Sequence, residues 1–462
     1  MRRLYCFILL LALVFILPAF SQQRWEKTYG GASGDFGRAV QQTLDGGYIV
    51  VGETHSYGAN PQVYLIKTIA SGDTLWTRNY WKAEHEYGWS VQQTSDTGCI
   101  VAGGTYSPGD GWQVYLIKTN ASGDTLWTRT YGRAGDDEGY SVQRTTDGGY
   151  IVAGWTNSYG NGYQVFLVKT NASGDTLWTR AYGGTGDERG YSVKQTQDGG
   201  YIIAGGTSSF GNGSQFYLVK TTATGDTLWT RNYGGTGWEE SKSVQETSDR
   251  GYIISGETDS FGNGSQIYLV KTNTFGDTLW TRTYGGTYPD QGYSVQQTSD
   301  WGYIIAGRTG DYPDCQVYLV KTNASGDTLW SRNYGGTGWD WGYSVQQTSD
   351  GGYIIAGETD GFGNGYQIYL IKTDANGSSG VEENAEGRGQ RLEVKITAIP
   401  NPFVSFTTMP GHPSDRFALY DVSGRRVGVY KGDRVGEGLG PGVYFLRPSA
   451  ESTKLLRVVK LR

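Results

Sequence analysis

Histidine, methionine and cysteine are nearly missing from this chain, with 3, 2 and 3 copies in 462 residues. The histidines, His55, His85 and His412, show no metal-ligand spacing, which excludes a histidine-built metal centre. Cys6 lies in an N-terminal apolar stretch. Cys99 and Cys315 fall in non-neighbouring repeats, so the expectation is two free, buried thiols and no disulfide framework. No Gly-x-Ser-x-Gly elbow and no phosphate loop occurs. One long apolar run exists, Leu4 to Leu17, too short to cross a bilayer comfortably. Arg2 and Arg3 precede it and Ala19-Phe20-Ser21 follow, so residues 1–21 read as a signal peptide and no transmembrane segment is expected. An excess of positive charge is also lacking, since the formal net charge is −6. From Arg388 onward 13 Lys/Arg stand against 6 Asp/Glu, so the rest of the chain is more acidic still. Such a body repels phosphate, and nucleic acid is not an expected partner.

What the chain has in abundance is 73 glycines, 35 tyrosines and 15 tryptophans. That mixture suits short strands and tight turns, glycine supplying positive φ and aromatics filling a pleated surface. The Lys of Tyr-Leu-x-Lys-Thr recurs at positions 67, 118, 169, 220, 271, 321 and 372. Trp25, Trp76, Trp127, Trp178, Trp229, Trp280 and Trp330 keep the same beat. Each unit divides into four extended runs: Ser-Val-x-Gln-Thr, Gly-Tyr-Ile-Ile-Ala-Gly, Gln-x-Tyr-Leu-Val-Lys-Thr and Thr-Leu-Trp-Thr-Arg-x-Tyr. Turn chemistry of the Asp198-Gly199-Gly200 kind links the first pair, and Ala172 to Asp175 links the last pair. Four antiparallel strands in about 50 residues, repeated in tandem, make a propeller blade. The array opens with a lone fourth strand, Trp25 to Tyr29, and its last copy stops after the third, at Lys372-Thr373. The expected fold is all-β: a seven-bladed β-propeller closed by the N-terminal strand, over residues 22–376, followed by a flexible linker at 377–390 and a small β-sandwich at 391–462.

The pattern Gly-Tyr-Ser-Val, Asp-Gly-Gly-Tyr-Ile-Ile-Ala-Gly-x-Thr, Tyr-Leu-Val-Lys-Thr and Leu-Trp-Thr-Arg-x-Tyr-Gly-Gly resembles the seven-bladed propeller repeat of bacterial secreted proteins. Gly174-Asp175-Thr176-Leu177-Trp178 resembles the docking motif of quinoprotein-like propellers, which implies a tryptophan wedged against the neighbouring blade. The C-terminal segment carries Pro400-Asn401-Pro402-Phe403, Leu419-Tyr420-Asp421-Val422-Ser423-Gly424-Arg425 and Pro441-Gly442-Val443-Tyr444-Phe445. It is similar to the sorting domain of the type IX secretion system. The resemblance implies that machinery as a partner, and a secreted or outer-surface location.

Residues present in every copy, such as the lysines, the arginines after the tryptophans and the turn aspartates, are expected to serve pairing and turns. The copies disagree in the fourth-to-first and second-to-third connections, which share one face. Candidate ligand-binding residues there are Trp238, Trp339 and Trp341 with Asp136, Asp137, Glu239 and Asp340. Aromatic faces stack on apolar sugar faces and carboxylates accept hydroxyl hydrogen bonds, so a glycan or protein ligand is the expectation. No catalytic residue, metal or cofactor is assigned, although carboxylate loops of this kind suit calcium. The alternative is an extracellular carbohydrate-active enzyme, a glycoside hydrolase or lyase, using carboxylates of the same face.

Overall fold

A computed structural model describes residues 23–159, 162–262, 264–311, 313–362, 365–380, 416–421, 425–431, 434–435, 437–448 and 456–460. The expected signal peptide, the linker from 381 and the Pro400–Phe403 motif lie outside them. Every regular element among the described residues is a strand. None is a helix long and apolar enough to cross a membrane.

Seven four-stranded antiparallel sheets follow one another along the chain. Blade 1 runs Asp35–Gln42, Tyr48–Thr54, Gln62–Thr68 and Thr74–Tyr80, from inner to outer strand. In blade 7 the strands Asp340–Gln347, Tyr353–Thr359 and Gln367–Thr373 are completed by Trp25–Tyr29. Trp25 pairs with Lys372 and Tyr29 with Ile368, antiparallel. The N-terminal strand therefore closes the ring, as its orphaned sequence implies, and covers an otherwise open sheet edge. Second and third strands are buried on both faces, which is why they read as unbroken apolar runs. Their side chains form seven clusters, each shared by two adjacent blades.

The repeated polar residues hold the blades. Each third-strand lysine is buried and meets the aspartate of its own blade's first hairpin, from Lys67–Asp45 to Lys372–Asp350, at 2.7–3.0 Å. Each outer-strand tyrosine donates its hydroxyl to a turn glycine carbonyl of the next blade, Tyr29 to Gly72 through Tyr334 to Gly377, at 2.5–2.7 Å. Those glycines have φ near +80°, and a Cβ on Gly174 would lie 2.8 Å from the Trp127 ring. Arg129 and Arg180 point at Asp175 and Asp226 of the following blade at 3.7 and 3.6 Å. The implied docking role of the tryptophans is thus visible as a ring laid on the neighbour's glycine.

One reading changes. Asp374 to Gly380 has the polar composition of a tether, yet it is the seventh copy of the outer turn. Asp374 N–H bonds Ser378 O at 2.9 Å, and Gly377 receives Trp330 and Tyr334. Ser379 also donates to Glu26 of the closing strand at 2.5 Å. The expected linker therefore cannot begin before residue 381. The second compact unit, Asn384–Arg462, shows one four-stranded antiparallel sheet among its described residues, in keeping with the expected small β domain. Its order is Arg426–Lys431, Arg416–Asp421, Gly442–Pro448 and Leu456–Lys460, with Phe417, Leu419 and Val435 buried. Cys99 and Cys315 are free and buried. Cys99 takes the place of a repeat tyrosine beneath Trp76, and burial pushes its thiol up to about 12.

If the closing strand docks like any other, Trp25→Ala and Trp229→Ala should each cost about 2–4 kcal/mol in urea unfolding, since each empties the same wedge. A loss for Trp229→Ala with none for Trp25→Ala would show that the ring is not latched by its N-terminus.

Candidate functional site

The loop-rich face is built on a sevenfold support. The first residue of each inner strand, or in blade 2 the second, is a fully buried carboxylate: Asp35, Glu86, Asp137, Glu188, Glu239, Asp290 and Asp340. Each accepts a backbone N–H from the loop that precedes it, as Asp137 does from Arg133, Glu239 from Gly235 and Asp340 from Gly336, all at 3.0 Å. The longer glutamates also reach a second-strand threonine, Glu239 to Thr258 at 2.9 Å and Glu188 to Thr207 at 2.7 Å. The aspartates stop short, and one oxygen each of Asp137, Asp290 and Asp340 is left without a partner. Burial accordingly pushes Asp137 and Asp290 up, and Asp340 up to about 6. Three of the candidate carboxylates, Asp137, Glu239 and Asp340, therefore brace loops from inside. The fourth, Asp136, accepts the Trp112 N–H at 2.9 Å and pins one loop to another.

The candidate tryptophans divide. Trp339 and Trp341 stack with ring centroids 6.0 Å apart, and Trp341 stacks on Tyr293 at 6.1 Å. The Arg308 guanidinium lies 4.6 Å from the Trp341 ring. Trp238, at the equivalent loop position two blades away, is 41% exposed and makes no ring contact with this group. The structure thus brings together Trp339 and Trp341, with Tyr293 and Arg308 added, and leaves Trp238 apart.

Behind the stack, a girdle of inner-strand side chains divides the central bore. Arg38 lies 5.1 Å from the Trp89 ring and 4.7 Å from that of Tyr343. Trp89 meets Tyr140, Tyr140 meets Tyr191, and Lys242 sits 4.1 Å over Tyr191. Tyr293 and Tyr343 are 5.0 Å apart. Carboxylates answer the girdle's polar atoms from the loop side. Glu53 and Glu358 flank Arg38 at 2.9 and 3.2 Å. Glu138 accepts from Trp89 at 2.9 Å and Tyr140 at 2.8 Å, and Glu240 pairs with Lys242 and Tyr191. Glu257 accepts from Gln291, whose amide oxygen takes Arg308 and Tyr293 at 2.6 Å each. Arg38, Lys242, Glu53, Glu257, Arg308 and Glu358 were not among the sequence candidates, because they lie in strands and not in the divergent loops. Their signal was present inside the strands: Arg38 and Lys242 interrupt a position that is aromatic in the other five copies. Among the described residues no cluster of three His, Cys, Asp or Glu side chains could hold a metal ion.

A family model described as a β-propeller domain of unknown function, DUF5122, matches residues 145–176, the second and third strands of the third blade with the turns on either side. No curated protein matches the chain. Among solved structures, PorZ, an essential surface component of the type-IX secretion system of Porphyromonas gingivalis, is 11% identical with a TM-score of 0.43. That match covers 90% of this chain, which spans 58% of PorZ's own. Sqt1 of Chaetomium thermophilum is 10% identical, covering 76% of this chain and 98% of that one, with a TM-score of 0.46. The Pan2 WD40 domain of Neurospora crassa is 8% identical over 79% and 94%, with a TM-score of 0.45.

The Glu257 carboxyl is pushed up to about 7 by burial, opposed by the Lys242 ammonium and reinforced by Glu240. The fold favours its protonated form, so that contribution is full below the ordinary carboxyl range and is lost as pH rises through about 7. Glu257→Gln should match the parent at pH 5 and exceed it at pH 8 by on the order of 1–3 kcal/mol. Parallel urea curves at both pH values would contradict this protonation.

Proposed function

We propose that this chain is an exported β-propeller binding module whose ligand, a glycan, docks on the loop-rich face against Trp339 and Trp341. The observation that supports this is the break in symmetry. Seven similar blades offer seven similar surfaces, whereas the Trp339–Trp341–Tyr293 stack with Arg308 on its flank occurs once among the described residues. Parallel rings offer a sugar its apolar face, and Arg308 adds a donor-rich cation at the edge. Residues 1–21 act as the export signal, and residues 391–462 as the sorting module read by type IX secretion machinery, which gives delivery to the outer surface or the medium. The loop carboxylates serve as braces for the binding face, and the function requires no cofactor.

A second reading, a carbohydrate-active enzyme, draws on Glu257. A carboxyl held near neutrality beside a second one, Glu240, is the pairing that acid catalysis of glycoside cleavage needs. Glu257 is 4% exposed and bonded to Gln291, which favours binding over turnover.

Trp339→Ala with Trp341→Ala should abolish binding to glycans that the parent retains on a polysaccharide array, with the melting curve unchanged. Ser173→Ala with Ser325→Ala, in turns of the opposite face, should leave binding intact. Retained binding by the double tryptophan variant overturns the assignment, and chain cleavage of a bound glycan, lost in Glu257→Gln, moves it to the enzyme. In a host with type IX secretion, deletion of residues 391–462 should trap a folded propeller in the periplasm, and normal surface delivery would remove the sorting role.

A further inference from the structure

The half of the bore on the hairpin side, beyond the girdle, is a cavity of about 430 Å³ lined by inner strands of all seven blades. Its walls are two nearly perfect rings. In the first, the hydroxyls of Ser90, Ser141, Ser192, Ser243, Ser294 and Ser344 each accept a backbone N–H from the next blade at 3.2–3.3 Å. In the second, the carboxamide oxygens of Gln41, Gln92, Gln143, Gln245, Gln296 and Gln346 do the same at 2.5–2.7 Å. A backbone N–H can meet only an acceptor, so these bonds fix the amide orientation and leave the NH2 groups as free donors. The serine oxygens likewise spend lone pairs on the wall and keep their protons to give. The wall therefore offers donors to whatever occupies the cavity.

The glutamine ring has one gap. At the position where blades 1, 2, 3, 5, 6 and 7 carry glutamine, blade 4 carries Lys194, and the Glu246 N–H loses the acceptor its six counterparts have. Lys194 makes no hydrogen bond or ion pair among the described residues. The acid on the adjoining strand, Glu246, accepts the Gln197 N–H at 2.8 Å instead. Burial pushes the Lys194 ammonium down, and Glu246, which lines the same cavity, makes no ion pair with it. Lys194 is a partly buried cation without an ion pair, in a cavity whose glutamine and serine groups are donors and whose carboxylate, Glu246, is bonded elsewhere, so what the lysine lacks is an anion.

We propose that this cavity is an anion site in which Lys194 supplies the charge and the glutamine amides and serine hydroxyls supply the cradle, and that its ligand is a small carboxylate. One lysine balances one negative charge, which fits a carboxylate better than a doubly charged phosphate. This site lies across the girdle from the glycan face and stands independently of that reading.

The informative variant is Lys194→Gln, because it completes the ring. The new glutamine can accept the Glu246 N–H, so the variant should fold and melt at or above the parent's temperature without ligand. Calorimetric titration of the full mature chain with acetate, glucuronate and phosphate at constant ionic strength is the test. Saturable one-to-one binding of a carboxylate to the parent, weakened at least about tenfold in Lys194→Gln and kept in Lys194→Arg, supports the site. Equal affinity in parent and Lys194→Gln, or no saturable binding to the parent, overturns it. Phosphate binding more tightly than either carboxylate overturns the ligand class.

Discussion

The structure depends on one contact made seven times: an outer-strand tryptophan ring packed against a glycine in the turn of the next blade. The glycine is needed for two independent reasons. Its φ near +80° is a conformation that side chains disfavour, and its missing Cβ is what lets the ring approach. The tyrosine hydroxyl on the same strand then fixes the turn's carbonyl, so one strand grips its neighbour through both packing and a hydrogen bond. Because the blade that receives Trp25 is the first and the blade that presents it is the last, the same contact turns a row into a ring.

A ring built from equal copies divides its residues by role. Those repeated seven times hold the ring, including the third-strand lysines and the inner-strand carboxylates. Those that break the repeat are free to be something else. They gather at two levels of the bore: the aromatic and charged girdle on the loop side, and the lone lysine among glutamines on the hairpin side. The hairpin turns are less uniform than the repeat suggests. Thr97, Arg250 and Trp301 occupy positive-φ positions where other blades have glycine, which costs roughly 1 kcal/mol each.

The fold was legible because periodicity multiplies weak signals. A single Tyr-Leu-Val-Lys-Thr run is ambiguous, whereas seven at nearly equal spacing, with a lone fourth strand at one end and a missing one at the other, leave one closed arrangement. Polar composition misled where packing overrides it. Asp374 to Gly380 reads as tether until it is aligned with Asn171 to Asp175, whose turn it copies. The candidate site was legible only in part. Trp339 and Trp341 are two residues apart and share a strand face, so their pairing follows from β geometry. Nothing along the chain tells that Trp238 stays apart, or that Arg308 comes to Trp341 from the second strand of the preceding blade. Likewise Asp137, Glu239 and Asp340 looked like variable-loop acids because aspartate and glutamate alternate there. In space they are one position.

Closure by the N-terminal strand is the claim on which the rest stands, and native-state hydrogen exchange of the intact chain tests it most directly. The ladder between Trp25–Tyr29 and Gln367–Thr373 should exchange as slowly as that between Thr278–Tyr284 and Gln266–Thr272, both opening only when the whole ring unfolds. Exchange of the Trp25–Tyr29 amides at loop-like rates, with the other outer strands protected, would contradict it.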